Sequence, residues 1–424
     1  MSTINKIDGL EILDSRGRPT VKATVTLANG IRAQASVPSG ASTGSAEAIE
    51  LRDGDKERYN GMGCQNAIHN IQLEIHPMLS GKAFEHVFSL DKALITLDGT
   101  PNKSRLGANA ILAVSIAFAR AQSMESGVPF YRYLADCLNR SIDFLPRLTI
   151  NLFSGGLHAG GIVPIQDSLI VPVSANSIDQ SLSMAASVYQ SAVGLSLQKF
   201  NMRPLTADEG GLSPNFTNAD QMLALTLEAI ERAGLQPGQD MAMALDVAAT
   251  HFYSHQGYRI HEQDLSSRQM ISKLEEWLTK YPILSLEDGL AEDDWEHWPE
   301  LLNRCRGKAI VMGDDLLCTH IDRIARAVQS NAANALLLKV NQIGTLYEAS
   351  LAIRKARDAK WTITISARSG ETEDDWLADL AVGWGGDYIK IGSINQSERL
   401  SKYNRLLEIE KETGLPLKEL PQVL

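Results

Sequence analysis

MAMALDV (241–247), PILSLED (282–288), AIVMGDD (309–315), NALLLKV (334–340), WTITISARS (361–369) and GGDYIKIG (385–392) are six short apolar runs, each delivering a charged residue. The charges are Asp246, Glu287, Asp314, Lys339, Arg368 and Lys390. Apolar runs of this length read as buried strands, and helix-like stretches separate them, which predicts consecutive βα units. The same alternation permits an open, doubly wound sheet. A closed barrel is the better expectation, because charges end nearly every strand instead of clustering at one switch point. In a parallel barrel the C-terminal ends of the strands converge on one mouth, where active sites sit. Three carboxylates followed by three cations there suit metal ions held against an anionic substrate, and that order predicts an enzyme.

Upstream, LTINLF (148–153) and SLIVPV (168–173) read as two further strands, and helical patterns cover roughly 176–200 and 218–234. Residues 3–37 alternate apolar and polar positions, with Asn29-Gly30 as a hairpin turn. The loop PSGASTG (38–44) follows, then helical patterns that include ANAILAVSIAFARAQSMES (108–126). The chain therefore reads as an α+β unit over 1–137 and a barrel over 138–424, closing on an amphipathic helix at 398–414.

Apolar content of 44% and charged content of 21% are those of a soluble globular protein. A net charge of −11 without a Lys/Arg-rich run argues against nucleic acid or an anionic membrane as the main partner. Cys64, Cys137, Cys305 and Cys318 lack CxxC spacing and read as free thiols in a reducing compartment. No stretch reaches the roughly 18–20 apolar residues a bilayer span needs, and the N-terminus lacks a signal-peptide core. A cytoplasmic location is the expectation.

Taken singly, each charged residue has a plain reading: a surface acid, a snorkelling lysine, a polar loop. As a series they suggest chemistry. Asp246, Glu287 and Asp314 offer the hard oxygens Mg²⁺ prefers, with Asp288 and Asp315 beside them. Lys339 leaves a buried strand near Lys390; neighbouring cations would disfavour its ammonium and let it act as a neutral base toward a proton α to a carboxylate. The loop TADEGGLSPN (206–215) offers Glu209 as a general acid for a leaving hydroxyl. His158, between glycine pairs in NLFSGGLHAGG (151–161), suggests a lid. Arg368 and Ser369 give a fork and a hydroxyl for phosphate, and PSGASTG with Ser39 suits the same anion or a metal.

These strings, together with LDSRGRPTV (13–21), AIELRDGD (48–55), LEDGLAEDDW (286–295), GDDLLCT (313–319), LLLKVNQIGTL (336–346), ARSGETED (367–374) and SERLSKYNRLL (397–407), resemble the enolase (phosphopyruvate hydratase) family nearly end to end. A lysine base facing a metal-held carboxylate is already the established arrangement of that superfamily, and the resemblance extends it to this chain. The resemblance implies an N-terminal α+β cap and an enolase-type (βα)8-like TIM barrel whose first turns break the simple βα order. It implies a lyase interconverting 2-phosphoglycerate and phosphoenolpyruvate, two Mg²⁺ ions and a homodimer or higher homo-oligomer. By position, Lys339 matches the base and Glu209 the acid; Asp246, Glu287 and Asp314 match ligands of the first metal, and Ser39 helps bind the second. His158, Gln166, Arg368, Ser369 and Lys390 match substrate-binding positions, and Asp167 stands where the family has glutamate.

Other departures are Ala367 for histidine, Ser154 for asparagine and Gly289 for proline. They fall on substrate-contacting positions and spare those that move protons. A paralogue acting on a related phosphonate or phospho-carboxylate is the alternative; a low-turnover binding protein is a third. Lys22 and Glu408 reverse the family's usual charges; if they meet across a subunit interface the ion pair survives with swapped polarity, and drift at two surface positions is the plain alternative.

Overall fold

The computed structural model of the chain describes residues 1–41, 44–161, 163–201, 205–260 and 263–421; the side chains of Leu157 and His158 lie outside the description. Eight strands close into a barrel. In chain order they are Arg147–Ser154, Asp167–Pro172, Met241–Asp246, Ile283–Glu287, Ile310–Gly313, Ala335–Leu338, Thr362–Ser366 and Tyr388–Gly392. The second runs antiparallel to both neighbours, and the other pairings are parallel. Two consecutive helices, Ile178–Phe200 and Ala219–Arg232, connect it to the third. The barrel thus begins ββαα, and ring closure excludes the open sheet.

The strands are buried on both faces, which is why they read as nearly continuous apolar runs. Side chains alternate across the wall. Leu169, Val171, Ala242, Ala244, Met312, Leu337 and Tyr388 form the inner cluster, while Ile170, Met243, Leu245, Val311, Leu336 and Ile389 join the outer core beneath the helices. Asp246 continues the inward parity of Ala242 and Ala244. A register irregularity between Ile283 and Ser285 resets the phase of the fourth strand, so that Ser285 and Glu287 line the same internal cavity as Leu284. Lys390 also faces inward, but it pairs with Ser366 and Thr149 inside a strand that continues to Gly392. The charge read as a strand end is therefore an interior position, carried onward by Ile391.

The N-terminal unit is an antiparallel sheet of Ser2–Leu13, Pro19–Leu27 and Arg32–Ser36, with the short edge strand Ala83–Phe84 on the first. The helix Ala108–Ser126 is buried along most of its length, which its small residues permit, and Gly127 closes it in the left-handed conformation. The loop after Ser36 reaches the barrel mouth: Ser39 and Gly370 exchange backbone hydrogen bonds of 2.8 and 3.0 Å, and the Ala48 N–H donates to the Gln342 carbonyl at 2.7 Å. All four cysteines are free. Among the described residues no helix is long and apolar enough to cross a membrane. Glu408 accepts from Arg405 of its own helix at 2.9 Å.

Where the two units meet, the Tyr347 N–H of helix Leu346–Asp358 donates to Asp91 Oδ2 of helix Val87–Asp98 at 2.8 Å. Burial pushes the Asp91 carboxyl from its ordinary 3.8 up to about 7. The folded chain then keeps a proton that the unfolded chain releases near pH 4. Stability contributed here is complete at low pH and falls as pH rises through 7, by on the order of 4 kcal/mol for a shift of this size. Asp91→Asn should keep the accepted hydrogen bond and flatten the decline between pH 4 and 7; urea unfolding at a series of pH values checks it.

Candidate active site

Lys390 occupies the centre of the mouth. Its Nζ donates to Asp246 Oδ2 at 2.7 Å and to both Glu287 oxygens at 2.9 and 2.8 Å. Asp246 and Glu287 are direct partners at the ends of adjacent strands, so backbone register brings their carboxylates to one point. Gln166 donates to the same Asp246 oxygen at 3.0 Å. Burial opposes the Lys390 charge, yet Asp246, Glu287, Asp167 and Glu209 hold the ammonium well above its usual range. Against the same penalty of burial, Lys390 keeps Asp246 down at about 2. Glu287 is raised by burial and by the Asp246 charge.

Lys339 follows the strand Ala335–Leu338 and pairs with Asp314. The expected loss of its ammonium assumes metal cations nearby; with the chain's own groups alone, Asp314 sets the balance. Burial lowers the Lys339 pKa, but the Asp314 charge outweighs burial and raises it. Gln342 donates to the other Asp314 oxygen at 2.8 Å, and the Lys339 N–H is held by Thr319 at 3.0 Å. Asp288 accepts the backbone N–H groups of Asp314 and Asp315 at 2.9 and 2.7 Å, which fixes the turn carrying Asp314. Asp288 does so from a left-handed backbone, φ +44°, the kind of strain that persists where neighbours over-determine it. Burial and Asp314 push Asp315 up to about 8.

Arg368 faces a carboxylate of the chain itself. Its Nη1 donates to Glu47 at 2.9 Å and to Asn341 Oδ1 at 3.0 Å. Ser369 accepts from Arg16 at 3.2 Å. Ser39 sits beside this pair through its bridge to Gly370, but its hydroxyl serves the N-terminal unit, donating to Glu50 at 2.9 Å and accepting from Arg52 at 2.6 Å. Arg399, fully buried, donates to the carbonyls of Arg368 and Ser369 at 2.7 and 2.6 Å and holds this corner from the C-terminal helix.

Glu209 is buried on a loop that bridges the first strand at Phe153 and Leu212, and Asn151 donates to its carboxylate at 3.0 Å. Asp167 begins the antiparallel strand as the direct partner of Asp246. Ala367 is buried, its N–H donating to the Lys390 carbonyl at 2.8 Å. His158 lies in the short helix Gly156–Ala159, and its side chain is outside the described residues, as are Ser42 and Thr43 of the PSGASTG loop. Sequence reasoning missed Glu47, Asn151, Asn341 and Gln342. The last two carried a signal, adjacent amides in the otherwise apolar VNQIG, since polar side chains there need partners.

Residues 143–418 match the family model of the enolase C-terminal TIM barrel domain, and residues 4–134 match that of the enolase N-terminal domain. The chain belongs to the enolase family. That membership makes it a lyase-type enzyme of the enolase superfamily, a group that typically uses Mg²⁺. Its own residues fit such an ion: Asp246 and Glu287 converge on a positive charge already, and their donors are hard oxygens. Among the described residues, the acids whose oxygens lie within 4.8 Å of one another are Asp288, Asp314 and Asp315, a set that shares only Asp314 with the sequence expectation. Asp288 is committed to backbone N–H groups, which leaves Asp314 as the member common to both sets.

Lys390→Met should leave two buried carboxylates without their cation. In metal-free buffer it should cost about 3–5 kcal/mol in urea unfolding, and added Mg²⁺ should restore more stability to the variant than to the wild type.

Proposed function

We propose that this chain is a Mg²⁺-dependent lyase interconverting 2-phosphoglycerate and phosphoenolpyruvate, with Asp246, Glu287 and Asp314 as metal ligands. The observation that carries the reading is the placement of Lys339 and Glu209. Lys339 follows the sixth strand and the Glu209 loop lies on the first, so the two enter the mouth from well-separated sectors of an eight-strand ring. A small substrate between them meets a base on one side and an acid on the other, as removal of a proton and of a hydroxyl from adjacent carbons requires. Mg²⁺, when bound, supplies the positive charge that lets a substrate carboxylate tolerate loss of its α-proton.

The side chains do the rest. Asp314, which pairs with Lys339 in this structure, would help hold the ion; Lys339 would then keep its ammonium proton less tightly, release it to solvent and be free to accept the substrate's α-proton. Glu209, held by Asn151, protonates the departing hydroxyl. Arg368 exchanges Glu47 for the substrate phosphate, a bidentate fit for its guanidinium, and Ser369 adds a hydroxyl. The family resemblance supports a homodimer in a cytoplasmic setting, with Lys22 facing Glu408 of a second copy.

A second reading, a related phosphonate or phospho-carboxylate as substrate, is favoured by Ala367, a buried methyl where the family has an imidazole. Purified protein with excess Mg²⁺ decides between them. Rapid phosphoenolpyruvate formation from 2-phosphoglycerate, lowered about 10²–10⁴-fold in Lys339→Ala, supports the first. Mg²⁺ binding without turnover supports the second.

A further inference from the structure

Ser154 stands at the end of the first barrel strand, fully enclosed, and its Oγ donates to Asp167 at 2.5 Å. Its backbone N–H donates to the Leu212 carbonyl at 2.9 Å, so it also belongs to the seam with the Glu209 loop. Gly211 of that loop lies against it: a Cβ built there would overlap Ser154 Oγ and stand 3.3 Å from Ser154 Cβ. Gly211 is absent from the positive-φ glycines, so its small size answers to this contact and not to its backbone angle. One hydroxyl is therefore wedged between the Asp167 carboxylate and the segment that carries Glu209. Both acids bear on the Lys390 ammonium.

We propose that Ser154 is a positioning residue that sets the spacing between Asp167 and the Glu209 loop at the hydroxyl-losing side of the mouth. Its hydroxyl is engaged by Asp167 and its backbone N–H by Leu212. Its hydroxyl donates to Asp167 and aims that carboxylate, and its short side chain lets Gly211 and Glu209 close in. A longer amide at this position would push the loop outward, and alanine would remove the hydrogen bond that Asp167 accepts from Ser154. The short Ser154 and the short Asp167 thus work as a matched pair. The proposal rests on the lyase reading above, in which proton abstraction belongs to Lys339 and hydroxide loss to the Glu209 side.

That division supplies the test. Wild type, Ser154→Ala, Gly211→Ala and the double variant are assayed with Mg²⁺ and 2-phosphoglycerate in deuterated water, following both phosphoenolpyruvate formation and exchange of the α-proton. Ser154→Ala should lower kcat for phosphoenolpyruvate about tenfold or more, the scale of a lost hydrogen bond to a carboxylate, with KM and α-proton exchange within about twofold of wild type. Gly211→Ala should be costly alone and add little in the Ser154→Ala background, because the overlapping oxygen is gone. Equal falls in exchange and product formation, no change in either, or fully additive costs would overturn the proposal. A wild type that performs neither reaction would overturn the lyase reading first, and the proposal with it. Thermal unfolding of each variant separates loss of fold from loss of positioning.

Discussion

The contact of Lys390 with Asp246 and Glu287 is the constraint around which the mouth is built. Three charged groups are buried at the junction of the third, fourth and eighth strands, where each alone would be costly. Their mutual pairing makes the arrangement tolerable, and register makes the pairing possible. Asp246 and Glu287 are set opposite each other by parallel strand pairing, and Lys390 reaches them across the ring from the inward parity of Tyr388. The irregularity at Ile283–Ser285 is part of the same device, since without it the parity of Leu284 would carry Glu287 outward.

The same logic extends over the mouth. Lys339 is matched by Asp314, Arg368 by Glu47, and Lys390 by two acids. Each cation rests on an anion of the chain, so the site is electrostatically closed on itself. Under the proposed reading, a dication and a polyanionic ligand would enter by exchange of partners, with little net change in buried charge. The loop from the N-terminal unit takes part, because Glu47 and the Ser39–Gly370 bridge both come from it. The N-terminal unit and the barrel thus share one charge network.

Much of this was legible in the sequence, for a physical reason. Strands buried on both faces must be apolar throughout, so Asp246, Glu287, Asp314 and Lys339 stand out at the points where burial ends. Direction and partnership were less legible. Nothing in SLIVPV says that its strand runs antiparallel, because composition is indifferent to strand polarity. The hold of Asp314 on Lys339 was not legible, because the two are 25 residues apart in sequence and adjacent only in the fold. Glu47 and Asn151 escaped notice because a lone acid or amide near a loop has no periodicity to betray it. Nothing in the structure explains Ala367.

The central claim is that Lys390 holds Asp246 and Glu287 where a bound cation would hold them. Calorimetric titration of Mg²⁺ into the wild type and into Asp246→Asn tests it most directly. The account predicts saturable binding by the wild type and affinity weakened tenfold or more, by roughly 1.4 kcal/mol at least, in the variant. Equal affinity in the two proteins would contradict it.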